Sequence, residues 1–396
     1  MPELDRYCVY NSQAVDGKVF VGFRVENNIP KVYFPYGYRR SETDGKIRKD
    51  ILNLFSVLSS FIPRTNEISK SGDEKSLPLH ALIGVYSYFL TSGYYVERES
   101  AYKKTQCGKI NWAKTIKNIR PIISRNRPVY LDFVSRISLV DENKIITQIH
   151  KFCLCKSYEL VGKLFNFPQT EPATIPENVK LFISVLLKKL SNTFDERKIK
   201  LFRDMMDILV FSSKENSQKT TYGTFEFHQI WEKLIDSVFG NTNKEEYFPH
   251  YTYFKIENNE RKLLTRQPLY PDTIMISNGK VFVLDAKFYP YGFTRNVEDL
   301  PGAESINKQM SYAEYVETKH LGNGNDIYNA FILPYNSETE GLGIKKDFII
   351  NVDWKNNQKK YEQIYGILLD TRSIMYHHSH SDEEIRLLAD IIENLN

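Results

Sequence analysis

Apolar positions change their period several times along the chain, and each change marks an element. Aromatic and β-branched residues at 19–25 and 31–36 alternate as strands do, whereas 79–90 repeats with helical spacing. Helical spacing returns at 179–190, 197–211, 225–239 and 304–318, and the apolar run 330–334 reads as a strand. Ser381, with Glu384 three residues on, is a capping-box signature that opens a last helix through Ile385, Leu388 and Ile391. Between 166 and 178 both periods fail, because the prolines at 168, 172 and 176 each fix φ and remove a backbone donor. This stretch is expected to be the main linker. It would separate an N-terminal domain, 1–170, of mixed α and β from a C-terminal domain, 177–396, whose helix, hairpin, helix, strand order is α/β.

The most informative stretch is 269–289, LYPDTIMISNGKVFVLDAKFY. Two β-rich runs flank Asn278-Gly279, and both central residues of a type I′ turn need positive φ, so the pair specifies a hairpin and its register. If Ser277 pairs with Lys280, Asp272 falls directly opposite Asp285. Directly opposed side chains have Cβ atoms about 4.5 to 5.5 Å apart, where like charges repel. A divalent cation would compensate, since Mg²⁺ takes hard oxygen ligands and often only one or two carboxylates. Lys287, two residues beyond Asp285, shares its face of the strand, with Phe282, Leu284 and Phe288 on the other. The plainer alternative is an exposed strand face of alternating charge.

This constellation, Pro271-Asp272 followed by Asp285-Ala286-Lys287, resembles the PD-(D/E)xK nucleases. The resemblance implies a restriction-endonuclease-like fold, a mixed sheet flanked by helices. It implies Asp272, Asp285 and the Ala286 carbonyl as ligands of Mg²⁺ or Mn²⁺, and Lys287 beside the scissile phosphate. It also implies one more catalytic and metal-binding acid from the helix before the hairpin. On a wheel of 225–239, Glu232 falls just past the edge of the apolar arc beside Phe239 and His228, with Glu226 a weaker competitor. Downstream, Gln309 and Tyr312 lie on one helix face and resemble the Q-containing helix of RecB-like nucleases, although they are three apart where that family usually has four.

Charge changes the picture only through its distribution. The chain carries 53 Lys+Arg against 49 Asp+Glu, a net +4. Residues 98–151 alone hold twelve basic and four acidic residues, so the segment is +8 and the remainder −4. Lys103, Lys104, Lys109, Lys114, Lys117, Arg120, Arg125 and Arg127, interleaved with Trp112, are candidate nucleic-acid contacts. The alternatives are a solvated basic face or one shaped for an acidic protein.

Within that segment GKINWAKTIKNIRPIISRNRPVYLDF, followed by KIITQIHKFCL, resembles the LlaJI-type restriction endonuclease subunits, which are related to the McrC nucleases. The likeness runs from about residue 79 to the strand-like 366–375. It implies a cytoplasmic subunit of a bacterial restriction-modification system that cuts double-stranded DNA together with an McrB-like AAA+ GTPase or ATPase. The NTP would be hydrolysed by that partner, because Gly45-Lys46, Gly108-Lys109, Gly162-Lys163 and Gly279-Lys280 all lack the hydroxyl residue of a phosphate-binding loop. A repair or recombination nuclease with the same site, and a non-catalytic DNA-binding or motor-regulating subunit, remain the alternatives.

At 396 residues, 41% hydrophobic and 26% charged, the chain is a globular protein large enough for two domains, which excludes a disordered or fibrous class. No apolar run approaches the length of a membrane span, and the N-terminal MPELDRYCVYN has no apolar h-region, so neither a membrane helix nor a secretory signal is expected. Four scattered cysteines suggest free thiols, with Cys153 and Cys155 expected on one strand face. The histidines at 377, 378 and 380 are expected in a polar loop before the last helix cap, not in a metal site.

Overall fold

A computed structural model of the chain describes residues 2–10, 19–26, 29–61, 74–125, 127–140, 143–213, 219–257, 260–319, 326–337, 341–355 and 358–394. It falls into two compact units, one of residues 77–218 and one of 1–76 together with 219–396. This differs from the expected division into 1–170 and 177–396. The prolines do keep 167–178 free of helix and strand. The helices on either side, Ile145–Ser157 and Val179–Leu190, nevertheless belong to one unit. The chain leaves the larger unit after the strand Glu74–Ser76 and re-enters it through Lys219–Thr224, which pairs in parallel with the strand it left.

In the larger unit, one sheet runs in the order Thr273–Ser277, Lys280–Ala286, Ile327–Tyr335, Gln363–Asp370, Lys345–Asn351. The first and last pairs are antiparallel and the two between are parallel. The first parallel pair is connected through the helix Ala303–Thr318, as a parallel pair requires a crossover. Ile274, Val281 and Val283 of the hairpin pack with Tyr312, Ala313 and Val316 of that helix. The helix Phe227–Phe239 packs on the same hairpin, with the Phe288 ring against Phe227 and Trp231. This α/β layering agrees with the class expected from the element order.

A second five-stranded sheet orders Cys8–Val9, Ile29–Tyr33, Val21–Glu26, Lys219–Thr224 and Glu74–Ser76. Gly22 and Gly223 face each other across its middle. A Cβ on either would come within 2.3 Å of a carbonyl oxygen on the opposite strand, so the approach requires glycine on both. Beside this sheet the helix Asp44–Phe61 buries Asp50, whose carboxylate accepts from Tyr38 Oη (3.1 Å), Ser41 Oγ (2.6 Å), Arg372 Nε (2.9 Å) and Tyr376 Oη (2.9 Å). The strand-like reading of 366–375 holds only to Asp370. There the Asp370 carboxylate accepts the Ser373 amide at 2.7 Å and caps the short helix Thr371–Tyr376. The last helix is Asp382–Glu393, capped by Ser381 as expected, and 377–381 is the polar loop before it.

The smaller unit packs the helices Leu79–Ser92, Ile145–Ser157, Val179–Leu190 and Glu196–Ser213 together, and carries a three-stranded sheet and a two-stranded hairpin, Ile122–Ser124 with Arg127–Val129. Cys153 and Cys155 lie on the helix Ile145–Ser157 and not on a strand, because the apolar contacts of 145–157 recur with a helical period. No helix of the described residues is long and apolar enough to cross a membrane.

His150 is fully buried in this unit, where its Nδ1 accepts the Tyr95 amide at 3.0 Å. Burial pulls its pKa down to about 4, against a weaker upward pull from the Val85 backbone. The unfolded chain takes up this proton near pH 6.5 and the folded chain only near 4, so the unfolded state binds more protons across that window. Stability should therefore fall as the pH drops, by about 2 kcal/mol between pH 7.5 and pH 5. Urea midpoints of the native chain and of His150→Gln over this range would check it. Equal pH slopes in the two would remove His150 as the cause.

Candidate active site

The hairpin turn is as the dipeptide demands, with Asn278 at φ 51° and Gly279 at φ 77°. The ladder runs from Ser277↔Lys280 to Thr273↔Leu284, the register expected, and Asp272 and Asp285 are the residues next beyond its last pair. Asp272 lies just beyond the strand, and its Oδ2 accepts the Ala286 amide at 2.9 Å. Lys287 Nζ lies 2.6 Å from Asp285 Oδ2. At that distance the two groups form a close ion pair that ties the ammonium to the carboxylate. The Lys287 amide donates to the Ile332 carbonyl at 2.9 Å, which fixes where the lysine leaves the sheet.

Electrostatics ties the remaining predicted acid to this group. Burial pushes the Asp272 pKa up to about 7, reinforced by the charges of Asp285 and Glu232 and opposed by the Ala286 amide and Lys287. Glu232 is half-buried on the helix Phe227–Phe239, and its pKa is also raised, chiefly by burial, with His228 and Lys287 pulling it down and Asp285 pushing it up. Lys287 is pulled down by burial, yet ends above its ordinary value because Asp285 outweighs that loss. Glu226, the weaker competitor, precedes the same helix, where its carboxylate accepts from Gln229 Nε2 at 3.0 Å.

Three carboxylates and one lysine therefore share a field. Among the described residues, however, no three His, Cys, Asp or Glu side chains converge closely enough to hold a metal ion by themselves. The donor set that would fit a hard cation is smaller: two carboxylates and the Ala286 carbonyl. This is a common arrangement for Mg²⁺. Burial is the larger cause of the raised Asp272 proton affinity, and the neighbouring carboxylates add to it.

Gln309 and Tyr312 lie on the helix Ala303–Thr318 and support this edge. Gln309 is buried and donates Nε2 to the Val283 carbonyl at 2.6 Å, while Tyr312 Oη donates to the Tyr270 carbonyl at 3.1 Å, two residues before Asp272. Lys244 escaped the sequence reading. Its Nζ bonds the Asp272 carbonyl at 2.9 Å and the Asp236 carboxylate at 2.7 Å, so Asp272 is held at its backbone by Lys244 and at its side chain by the Ala286 amide. A lysine 28 positions upstream in a single 3₁₀ turn leaves no periodic signal.

The basic candidates Lys103, Lys104, Lys109, Trp112, Lys114, Lys117, Arg120, Arg125 and Arg127 are all exposed on the smaller unit. Lys104 is paired with Asp132 at 2.6 Å, and Lys114 Nζ sits 3.3 Å above the Tyr102 ring. Exposed Ile116, Ile122, Ile123 and Leu131 lie among them, making a surface both cationic and apolar.

Residues 24–369 match the LlaJI restriction endonuclease family. The chain is 29% identical over 303 residues to the Type II restriction enzyme BsuMI component YdjA of Bacillus subtilis (strain 168), a match that covers 71% of this chain and 64%, under two thirds, of that protein. A chain in the solved half-complex of Thermococcus gammatolerans McrB AAA+ hexamers with bound McrC aligns with 94% of this chain and 82% of its own length. At 12% identity and a TM-score of 0.36, that likeness is too slight to define a fold.

Proposed function

The chain belongs to the LlaJI restriction endonuclease family, and from that membership we propose that it is the DNA-cleaving subunit of a restriction system, a Mg²⁺- or Mn²⁺-dependent endodeoxyribonuclease with a PD-(D/E)xK core. The observation that carries this reading is the meeting of Asp272, Asp285 and Lys287 at one end of a hairpin whose register the sequence specifies. Asp272, Asp285 and the Ala286 carbonyl would hold the cation, and Glu232 adds negative charge beside it. The bound cation would lower the pKa of a water and offset charge developing on the phosphate.

The side chains supply the rest. The Lys287 ammonium, held by Asp285, stabilises the same developing charge or orients the attacking water. Gln309, Tyr312 and Lys244 keep the two carboxylates in register. Double-stranded DNA is the substrate on this reading. The exposed cations and apolar side chains of the smaller unit meet the DNA, an McrB-like AAA+ motor, or both, and the motor hydrolyses the NTP. A cytoplasmic location follows from such a role.

The test is cleavage of plasmid DNA by the purified chain with its cognate motor, NTP and Mg²⁺. Chelation by EDTA should abolish cutting and excess Mg²⁺ or Mn²⁺ should restore it. Cutting that persists in EDTA would refute the metal-dependent reading, and equal cutting without the motor would remove the motor from it.

A further inference from the structure

A second hairpin, unlike the first, contributes nothing to a core. His250–Glu257 and Glu260–Pro268 form a two-stranded sheet of their own in which every residue except Pro268 is exposed. It is pinned at its base, where the Leu269 amide donates to the Pro249 carbonyl at 2.8 Å and the Phe248 and Tyr270 rings meet edge to face at 5.0 Å. From there the chain runs directly into Pro271 and Asp272. Eight residues at about 3.3 Å each carry this arm roughly 25 Å from the carboxylate site. A lone two-stranded hairpin is at best marginally stable in water, so an arm of this length gains order from something that covers it.

The two faces of the arm differ. Register places Tyr251, Tyr253, Lys255 and Lys262 with Glu257 and Glu260 on one face, where Glu257 lies 2.6 Å from Lys255 and 3.9 Å from Lys262. The other presents Thr252, Phe254, Ile256, Arg261, Leu263 and Arg266. That face holds no acid, and neither Arg261 nor Arg266 has an acidic partner among the described residues. Ile256 is 73% exposed and Leu263 56%. The partners of Arg261 and Arg266, Ile256 and Thr252, are four residues apart, which separates the two arginines by roughly 13 Å along the ribbon.

We propose that this arm is a DNA-gripping element of the nuclease unit, which lays its Arg261/Arg266 face into a groove of the duplex beside the scissile phosphate. The polyanion as occupant rests on the nuclease reading above. A major groove about 12 Å wide admits a two-stranded β-ribbon, and two guanidiniums spaced along the ribbon can reach successive backbone phosphates while Phe254 and Leu263 meet base edges. Charge favours the same occupant independently of shape. Asp272, Asp285 and Glu232 outnumber Lys287, so the site repels its own substrate, and an acid-free cationic face whose Arg266 lies six residues before Asp272 supplies the local attraction.

The experiment measures binding of the full chain to a fluorescein-labelled 40-bp random duplex by anisotropy, without divalent cation so that nothing is cut. For Arg261→Ala/Arg266→Ala, affinity should fall roughly tenfold or more, and the slope of log K on log salt should shrink by about 1.8, at ~0.9 for each phosphate released. A benzophenone side chain at Ile256 should crosslink to the duplex. Unchanged affinity and slope in the double variant would overturn the proposal, as would crosslinking only to a second copy of the chain. Because no cleavage is read, a failed cleavage assay would sink the nuclease reading and leave this result standing. Normal cleavage with unchanged binding would do the reverse.

Discussion

Replacing Asp285 with Ala should lower DNA cleavage by at least about a thousandfold, on the order of 4 kcal/mol of transition-state stabilisation. Asp285 has two tasks. Its Oδ2 is within 2.6 Å of Lys287 Nζ, and on the proposed function it is one of the two carboxylates that would hold the cation. The substitution removes a ligand and also frees the lysine from the geometry that aims it. Binding of uncut DNA without divalent cation should be undiminished, since a negative charge has been taken away. Lys287→Ala should cost less, roughly a hundredfold, because it removes one stabilising charge and keeps both carboxylates. Single-turnover cleavage with the cognate motor, NTP and Mg²⁺ would measure both. An Asp285→Ala rate within tenfold of the native one would place the chemistry elsewhere.

The second large effect is on stability. Asp50→Ala should destabilise the larger unit by roughly 3 to 5 kcal/mol, because it leaves the Arg372 guanidinium without its counter-charge beside a buried cavity. The Asp50 carboxylate is fully buried and satisfied by four donors that join the helix Asp44–Phe61 to Tyr38, Ser41 and the helix Thr371–Tyr376. Urea unfolding of the native chain and the variant would measure it, and a loss below about 1 kcal/mol would show that water replaces the missing carboxylate.

What could be read in advance depended on how local its cause was. Asn278-Gly279 dictates its own turn, and the turn dictates the hairpin register that brings Asp272 toward Asp285, so the geometry of the candidate site was legible from 21 residues. Ser381 and Glu384 announced the last helix for the same reason. The strand Lys219–Thr224 was not legible, because its partners Val21–Glu26 and Glu74–Ser76 lie far away in sequence and polar Thr-rich residues fit a loop equally well. The prolines at 168, 172 and 176 end local structure, but a break in local structure does not say which neighbours pack together. The arm His250–Pro268 escaped because apolar side chains on both faces of a ribbon leave no alternation to find.

The strands Glu74–Ser76 and Lys219–Thr224, side by side at the edge of one sheet, bracket everything between them, and this has a consequence for the order of birth on the ribosome. Residues 77–218 are continuous and can close as soon as they emerge. The first 76 cannot, because Val21–Glu26 waits for Lys219–Thr224 to fill the place beside it. Roughly 140 residues must be made in the interval, about 7 to 28 s at ~5 to 20 residues per second. Through that wait the N-terminal strands hold an open edge, so a nascent chain halted near residue 218 should be the species most in need of a chaperone.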